Sequence, residues 1–205
     1  MENMTPLESF ASASQSFIQL VARIGPDQWD APGLGSWNVR ALVGHTRRAI
    51  LTVGLYLDAP EPAAATVADA VHYYPAVFDG YTDHEAVAER GERAGRELPA
   101  DPVAELTELR EHTLALASGM PAGRLVPVGP LAVPLPEYLR TRVFELTVHV
   151  LDLSRATGID HTLDAEVLAD SAALAARVAA LRGTAGEVLF ALTGRSALPA
   201  GFSIF

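Results

Sequence analysis

The chain of 205 residues can bury a full hydrophobic core, because 49% of its residues are hydrophobic. It has 15 basic and 25 acidic residues and a formal net charge of −10, which disfavours general nucleic-acid binding because an acidic surface repels phosphates. Cysteine is absent, which excludes disulfides, thiolate metal ligands and a cysteine nucleophile. Any metal site must therefore use His, Asp or Glu.

The sequence shows no targeting or membrane segment. The first ten residues lack a basic stretch followed by an apolar one, so we expect no signal peptide. No run of 18 apolar residues occurs, so we expect no transmembrane helix. These features predict a soluble, cytoplasmic protein that binds neither membranes nor nucleic acids.

The first part of the chain has the apolar spacing of helices. Thr5 and Glu8 form a capping-box pattern, which predicts a helix from Thr5 to the Gly25-Pro26 break. Ser36 is expected to cap a second helix over about 37–58, which ends before a segment with two prolines. Residues 66–81 predict a short helix followed by a loop.

The middle of the chain contains two helix starts and a hairpin. Asp83 is expected to cap a polar helix that runs to about Leu98. Asp101 followed by Pro102 predicts a helix to about Ser118. In 125–133, apolar residues flank a Gly-Pro pair, which predicts a small hairpin.

The last part predicts three further helices and a tail. One begins at Pro136 and ends at about Thr157, before a glycine. The others run from Asp164 to about Leu181 and over 184–193, and the extended tail 194–205 is expected to pack back on the body. We therefore predict an all-α single domain over 1–205, an up-down bundle of four main helices with extra C-terminal helices and a small β-hairpin. The bundle is expected over about 5–158, with the remaining helices and tail over 159–205.

Glu145 and His149 form the most informative chemical pattern. Four residues apart on a helix, both side chains lie on one face, where a carboxylate and an imidazole can share one metal ion. The flanking residues are largely apolar, and a glutamate in such surroundings needs a partner. Asp152 can accept the free ring N–H of a metal-bound His149. The spacing alone is more often that of a surface pair that binds no metal.

A third ligand must come from another helix, and His45 lies in the middle of the predicted second helix. Facing helices of a bundle can deliver ligands to one interior point. Three ligands of this mixed type leave a position for water or substrate, as in catalytic sites. On the sequence alone, His45 can also be a helix histidine with a local partner. Arg142 either is solvated or faces the site and holds a carboxylate substrate.

Two segments resemble a known family. W-D-A-P-G-L-G-S-W-N-V-R-A-L-V-G-H-T over 29–46 resembles the second-helix entry of the mycothiol-dependent maleylpyruvate isomerase family, within the DinB-like group of metal-binding four-helix bundles. R-V-F-E-L-T-V-H-V-L-D-L-S-R-A-T-G over 142–158 resembles the helix that supplies the other two ligands, and 191–199 resembles the end of many relatives.

The resemblance implies a divalent metal ion on His45, Glu145 and His149, usually zinc, with nickel as the alternative. It assigns no catalytic residue beyond the metal site. It also implies mycothiol as a low-molecular-weight thiol cosubstrate that attacks a small electrophile, in a transferase or an isomerase reaction. Relatives often form dimers, so a homodimer through the apolar tail 198–205 and docking of that tail on its own chain both stay open.

The sequence leaves the reaction open. The isomerase type has a separate C-terminal α/β domain, whereas the 45 residues after Asp160 indicate helix and tail. A metal-dependent hydrolase, in which the metal activates water, is one alternative. A metal-binding bundle without catalysis, with a role in stress, is another.

Overall fold

The computed structural model describes residues 4–79 and 84–204. Its elements in chain order are α1 (Pro6–Val21), a short 3₁₀ helix (Pro26–Gln28), α2 (Val39–Leu57), α3 (Ala70–Phe78), α4 (His84–Arg96), α5 (Pro102–Ser118), β1 (Leu125–Val128), β2 (Leu131–Pro134), α6 (Leu135–Thr157), α7 (Ala165–Leu181) and α8 (Ala185–Leu192). The two strands pair as an antiparallel hairpin. The predicted all-α fold with a small hairpin is confirmed.

Four of the helices form the bundle. Both α1 and α2 pack against α5 and α6, so these four surround one core. Completely buried apolar side chains from all four fill it, among them Phe10, Phe17, Leu20, Leu42, Ile50, Leu106, Leu146 and Leu153. Burial of such side chains is the main stabilising term of the fold.

Local signals in the sequence set several of the helix ends. The capping box of Thr5 and Glu8 is present, and the side chains of Asp101 and Asp164 accept hydrogen bonds from the first turns of α5 and α7. Gly158 ends α6 with a positive φ of 68°, a conformation in which a side chain is strained.

Two predicted helix starts were wrong by a few residues. The cap of α2 is Asn38 and not Ser36, because the Asn38 side chain accepts a hydrogen bond from Ala41 N at 2.9 Å. Helix α6 begins at Leu135, one residue before the expected Pro136. The cap predicted at Asp83 lies outside the described residues.

The other helices surround the bundle. Helix α4 packs against α2. Both α3 and α7 pack against α6, and α8 packs against α7. The tail after α8 is largely exposed, but Ile204 near its end packs against the core. Among the helices of the described ranges, none is long and apolar enough to cross a membrane.

Candidate metal centre

Three side chains from two packed helices meet at one point. His45 comes from the middle of α2, and Glu145 and His149 come from successive turns of α6. One potential ligand atom from each lies within 4.8 Å of the others. His149 Nε2 lies 3.6 Å from Glu145 Oε2, and the two imidazole rings are nearly perpendicular with centroids 5.0 Å apart.

The core fixes the positions of these three groups. Gly44 and Thr46 on α2, and Leu146 and Val150 on α6, are buried next to the three residues in sequence. Because these neighbours are held in the bundle, His45, Glu145 and His149 are directed to the cavity side of their helices. Their side chains remain partly accessible; those of His149 and Glu145 are 12% and 24% exposed.

The group fits a divalent cation. Tetrahedral coordination with bonds of about 2.1 Å places ligand atoms about 3.4 Å apart, close to the 3.6 Å between His149 and Glu145. His45 Nδ1 is buried and has no hydrogen-bond partner among the described residues, which is costly unless another group satisfies it. Imidazole and carboxylate donors suit zinc, nickel, iron or manganese.

Asp152 orients His149. Its Oδ2 lies 3.1 Å from His149 Nδ1, one helical turn along α6. This contact keeps a proton on Nδ1, so Nε2, which is directed at Glu145, is the nitrogen that gives up its proton when a metal binds. The predicted contact between Asp152 and the histidine is therefore present in the structure.

In the metal-free protein the two histidines have opposite electrostatic environments. Burial lowers the pKa of His149, but hydrogen bonds with Asp152 and Glu145 outweigh it and raise the pKa to about 9. Burial, together with the nearby His149, lowers the pKa of His45 to about 4. Burial acts to raise the pKa of Glu145, but the hydrogen bond from His149 and the charge of Arg142 lower it to about 2.

The three residues line a cavity of about 550 Å³. Its walls come from α2, α3, α4, α6, the hairpin and the tail, and aromatic residues are prominent among them: Trp37, Tyr56, Tyr73, Tyr74, Phe78, Tyr138 and Phe144. Arg48, Arg90, Arg142 and Asp152 also line it, as does Ser203 of the tail. The cavity thus combines an apolar wall with charged groups.

Arg142 also lines this cavity. Its guanidinium carbon lies 4.9 Å from the ring centroid of Tyr138 and 5.8 Å from that of Tyr73. Its Nε donates to Thr141 Oγ1 at 3.1 Å. These contacts hold the guanidinium against a tyrosine wall near Glu145, where it can meet a bound anion.

The tyrosines next to Arg142 are neutral hydrogen-bonding groups. Burial raises the pKa of Tyr138 and of Tyr74, so both phenols stay protonated. The Tyr138 hydroxyl donates to Thr52 Oγ1 at 2.8 Å, and the Tyr74 hydroxyl donates to the Thr141 carbonyl at 3.2 Å.

The aromatic wall of the cavity was not predicted from the sequence. Tyr138, Arg142, Glu145 and His149 follow one another at spacings of four, three and four, which is one face of a helix. That signal could have added Tyr138 to the site. His72, by contrast, pairs with Asp69 at the surface and does not line the cavity.

The model of the mycothiol maleylpyruvate isomerase N-terminal domain family matches residues 10–154. The chain belongs to this family. The match includes all of α2 and the part of α6 that carries Glu145, His149 and Asp152. The family expected from 29–46 and 142–158 is therefore confirmed, with its DinB-like context. No curated protein and no solved structure matches the chain.

Proposed function

We propose that this protein is a metal-dependent enzyme that uses a low-molecular-weight thiol, such as mycothiol, to attack a small electrophile in a transferase or isomerase reaction. The observation that carries the proposal is the position of His45, Glu145 and His149 at the wall of a cavity of about 550 Å³. Family membership supports mycothiol as the thiol.

The proposed metal ligands are His45, Glu145 and His149, and zinc is the proposed ion, with nickel as the alternative. A bound divalent ion would supply a Lewis acid that lowers the pKa of a thiol at an open coordination position. Glu145 is already ionised at neutral pH, so it needs no proton loss before it binds a cation. Asp152 holds the tautomer of His149 that presents Nε2.

Arg142 is the proposed anchor for a carboxylate on the electrophile. Within the described residues, no carboxylate lies within 4.0 Å of its guanidinium, and its contacts are to Thr141, Tyr73 and Tyr138. An anionic substrate would supply the charge-assisted hydrogen bonds that Arg142 lacks. The aromatic wall would pack against the apolar part of the substrate and exclude water.

The proposed chemistry is balanced without an oxidant or a reductant. In a transferase reaction by addition, sulfur bonds to one carbon of an activated double bond, and the thiol proton ends on the neighbouring carbon. In an isomerase reaction the carbon–sulfur bond forms, the former double bond rotates, and the carbon–sulfur bond then breaks to return the thiol.

The same proposal covers the organisation of the chain. We place the whole of 1–205 in one domain, because α7 packs on α6 and Ile204 returns to the core. A homodimer through the tail 198–205 would cover Leu198, which is exposed, and the neighbouring Leu189, Phe190 and Leu192, which are exposed on α8. Light scattering of the purified protein measures its molar mass and so distinguishes a monomer from a dimer.

Activity with and without thiol tests the proposal. Metal-loaded protein is incubated with mycothiol and a panel of activated alkenes, haloaromatic compounds and maleylpyruvate, and product formation is followed by mass spectrometry. We expect turnover that requires both metal and thiol and that is lost in Glu145→Ala. Turnover without thiol would replace the proposal with a metal-dependent hydrolase.

A matched pair of electrophiles tests the role of Arg142. Arg142→Gln is expected to raise KM for a carboxylated electrophile by about tenfold to a hundredfold, the loss of about one to two charge-assisted hydrogen bonds. KM for the uncharged ester of the same compound is expected to change little. An equal change for both compounds would contradict the anchoring role.

A further inference from the structure

Trp37 connects α4 to the candidate metal ligand His45. Its indole ring lies against the His45 imidazole, with centroids 4.5 Å apart and planes 35° apart. Its Nε1 donates to the carbonyl oxygen of Ala88 in α4 at 2.9 Å. The residue is only 9% exposed, so the indole is held between the metal site and α4.

Gly91 of α4 makes this arrangement possible. A Cβ at Gly91 would lie 2.4 Å from Cε2 and Cζ2 of Trp37, a distance that no packed structure tolerates. One turn further along α4, a Cβ at Gly95 would lie 2.7 Å from Cα of Ala41 in α2. Glycine at these positions lets α4 lie directly on Trp37 and on the backbone of α2.

The two histidines are oriented by different means. His149 has Asp152 on its Nδ1, the arrangement usual for a metal-bound imidazole. His45 Nδ1 is buried without a hydrogen-bond partner in the described part of the chain. The Trp37 ring is therefore the contact that we identify as limiting rotation of the His45 ring.

We infer that Trp37 is a positioning residue for His45 and that it couples the docking of α4 on α2 to metal binding. The inference rests on the proposed metal site. Val87 and Arg90 of α4 line the same cavity, so ordering of α4 also orders part of the substrate wall. Because such coupling is reciprocal, metal bound at His45 stabilises the docked position of α4.

Metal affinity of matched variants tests the positioning role. Trp37→Leu removes the ring, and Gly91→Ala displaces it without changing any ligand. Both are expected to weaken zinc binding about tenfold or more in a chelator competition assay. Gly186→Ala on α8, where a Cβ meets nothing within 4 Å, and Trp29→Phe are the controls and are expected to bind as the wild type does.

Two further measurements separate positioning from general destabilisation. The visible spectrum of the cobalt-loaded protein reports ligand geometry and is expected to change in Trp37→Leu and Gly91→Ala. Hydrogen exchange of α4 amides is expected to slow when zinc binds to the wild type. Trp37→Phe keeps a ring on His45 but loses the hydrogen bond to Ala88, so its cobalt spectrum is expected to be retained and its zinc-dependent protection of α4 reduced.

The outcomes distinguish this inference from the proposed function. If the wild type binds zinc and both Trp37→Leu and Gly91→Ala match it in affinity and spectrum, the inference is overturned while the metal site stands. If Trp37→Leu and Gly91→Ala do not fold, Trp37→Phe decides the question. Zinc-dependent protection of the α4 amides equal to that of the wild type in Trp37→Phe would also overturn the inference. If the wild type binds no metal, the proposed function and the inference fall together.

Discussion

Two faces of α6 have different roles: one packs in the bundle core, and the other carries the candidate metal ligands. On one face Leu139, Leu146 and Leu153 are at most 3% exposed and pack in the bundle core. On the other, Glu145 and His149 are charged and partly exposed to the cavity. The first face stabilises the fold. The second brings together charged side chains whose burial adds little to the free energy of folding when no metal is bound. Substitutions on the two faces should therefore have different consequences.

The largest effect on stability is expected at the core face. Leu146→Ala removes a completely buried side chain and should lower the free energy of unfolding by about 2–5 kcal/mol. Leu151→Ala, on the same helix but 49% exposed, should change it by no more than about 0.5 kcal/mol. Urea denaturation measures both. Similar losses in the two variants would contradict the assignment of Leu146 to a core face that stabilises the fold.

A smaller effect, on metal affinity and not on folding, is expected at Asp152. Asp152→Ala removes the group that orients His149 and should weaken zinc binding about tenfold to a hundredfold. Asp152→Asn keeps an acceptor oxygen and should lose less. Asp170→Ala, an exposed carboxylate on α7, serves as the charge control. Equal affinity in Asp152→Ala and Asp170→Ala would show that Asp152 does not act through His149.

A third expected effect is a pH dependence of the stability of the metal-free protein. The folded-state pKa of His149 is raised to about 9, so its stabilising contribution is complete below its unfolded pKa of about 6.5 and is lost as the pH rises through 9. The folded-state pKa of His45 is lowered to about 4, so stability falls as the pH drops from about 6.5 towards 4.

Substitution of each histidine shows which one causes the alkaline limb of the stability curve, the loss as the pH rises through 9, and which one causes the acidic limb, the loss as the pH drops towards 4. In urea denaturation of chelator-treated protein, His149→Gln should flatten the alkaline limb, and it should reduce the acidic limb only in part, because burial contributes more than His149 to the lowered pKa of His45. His45→Gln should flatten the acidic limb. An alkaline limb of full size in His149→Gln would show that another group causes it.

Local signals predicted most of the fold. The capping box at Thr5 and the caps at Asp101 and Asp164 depend on residues a few positions apart, so the sequence displays them directly. The pairing of Glu145 with His149 is equally local. The cap of α2 was misassigned because Ser36 and Asn38 are both good cap residues, and the turn before the helix decides between them.

The other residues of the site come together only through contacts between helices, which local sequence patterns do not display. His45 was a candidate third ligand from its place in the second helix, and the family resemblance assigned it to that position, since nothing local links α2 to α6. Tyr56 and Tyr73 reach the cavity from different helices, and no spacing connects them. The contact of Trp37 with Gly91 could not be foreseen, because a glycine that permits close approach looks like any other until its neighbour is known.

Elemental analysis of the purified protein tests the central claim most directly. Wild type, His45→Ala and His149→Ala are compared after reconstitution with zinc and removal of loosely bound ions. The account predicts one ion per chain in the wild type and loss of that ion in both variants, with helical content retained. A wild type without metal, or variants that keep a full equivalent, would contradict the assignment of His45, Glu145 and His149 as a metal centre.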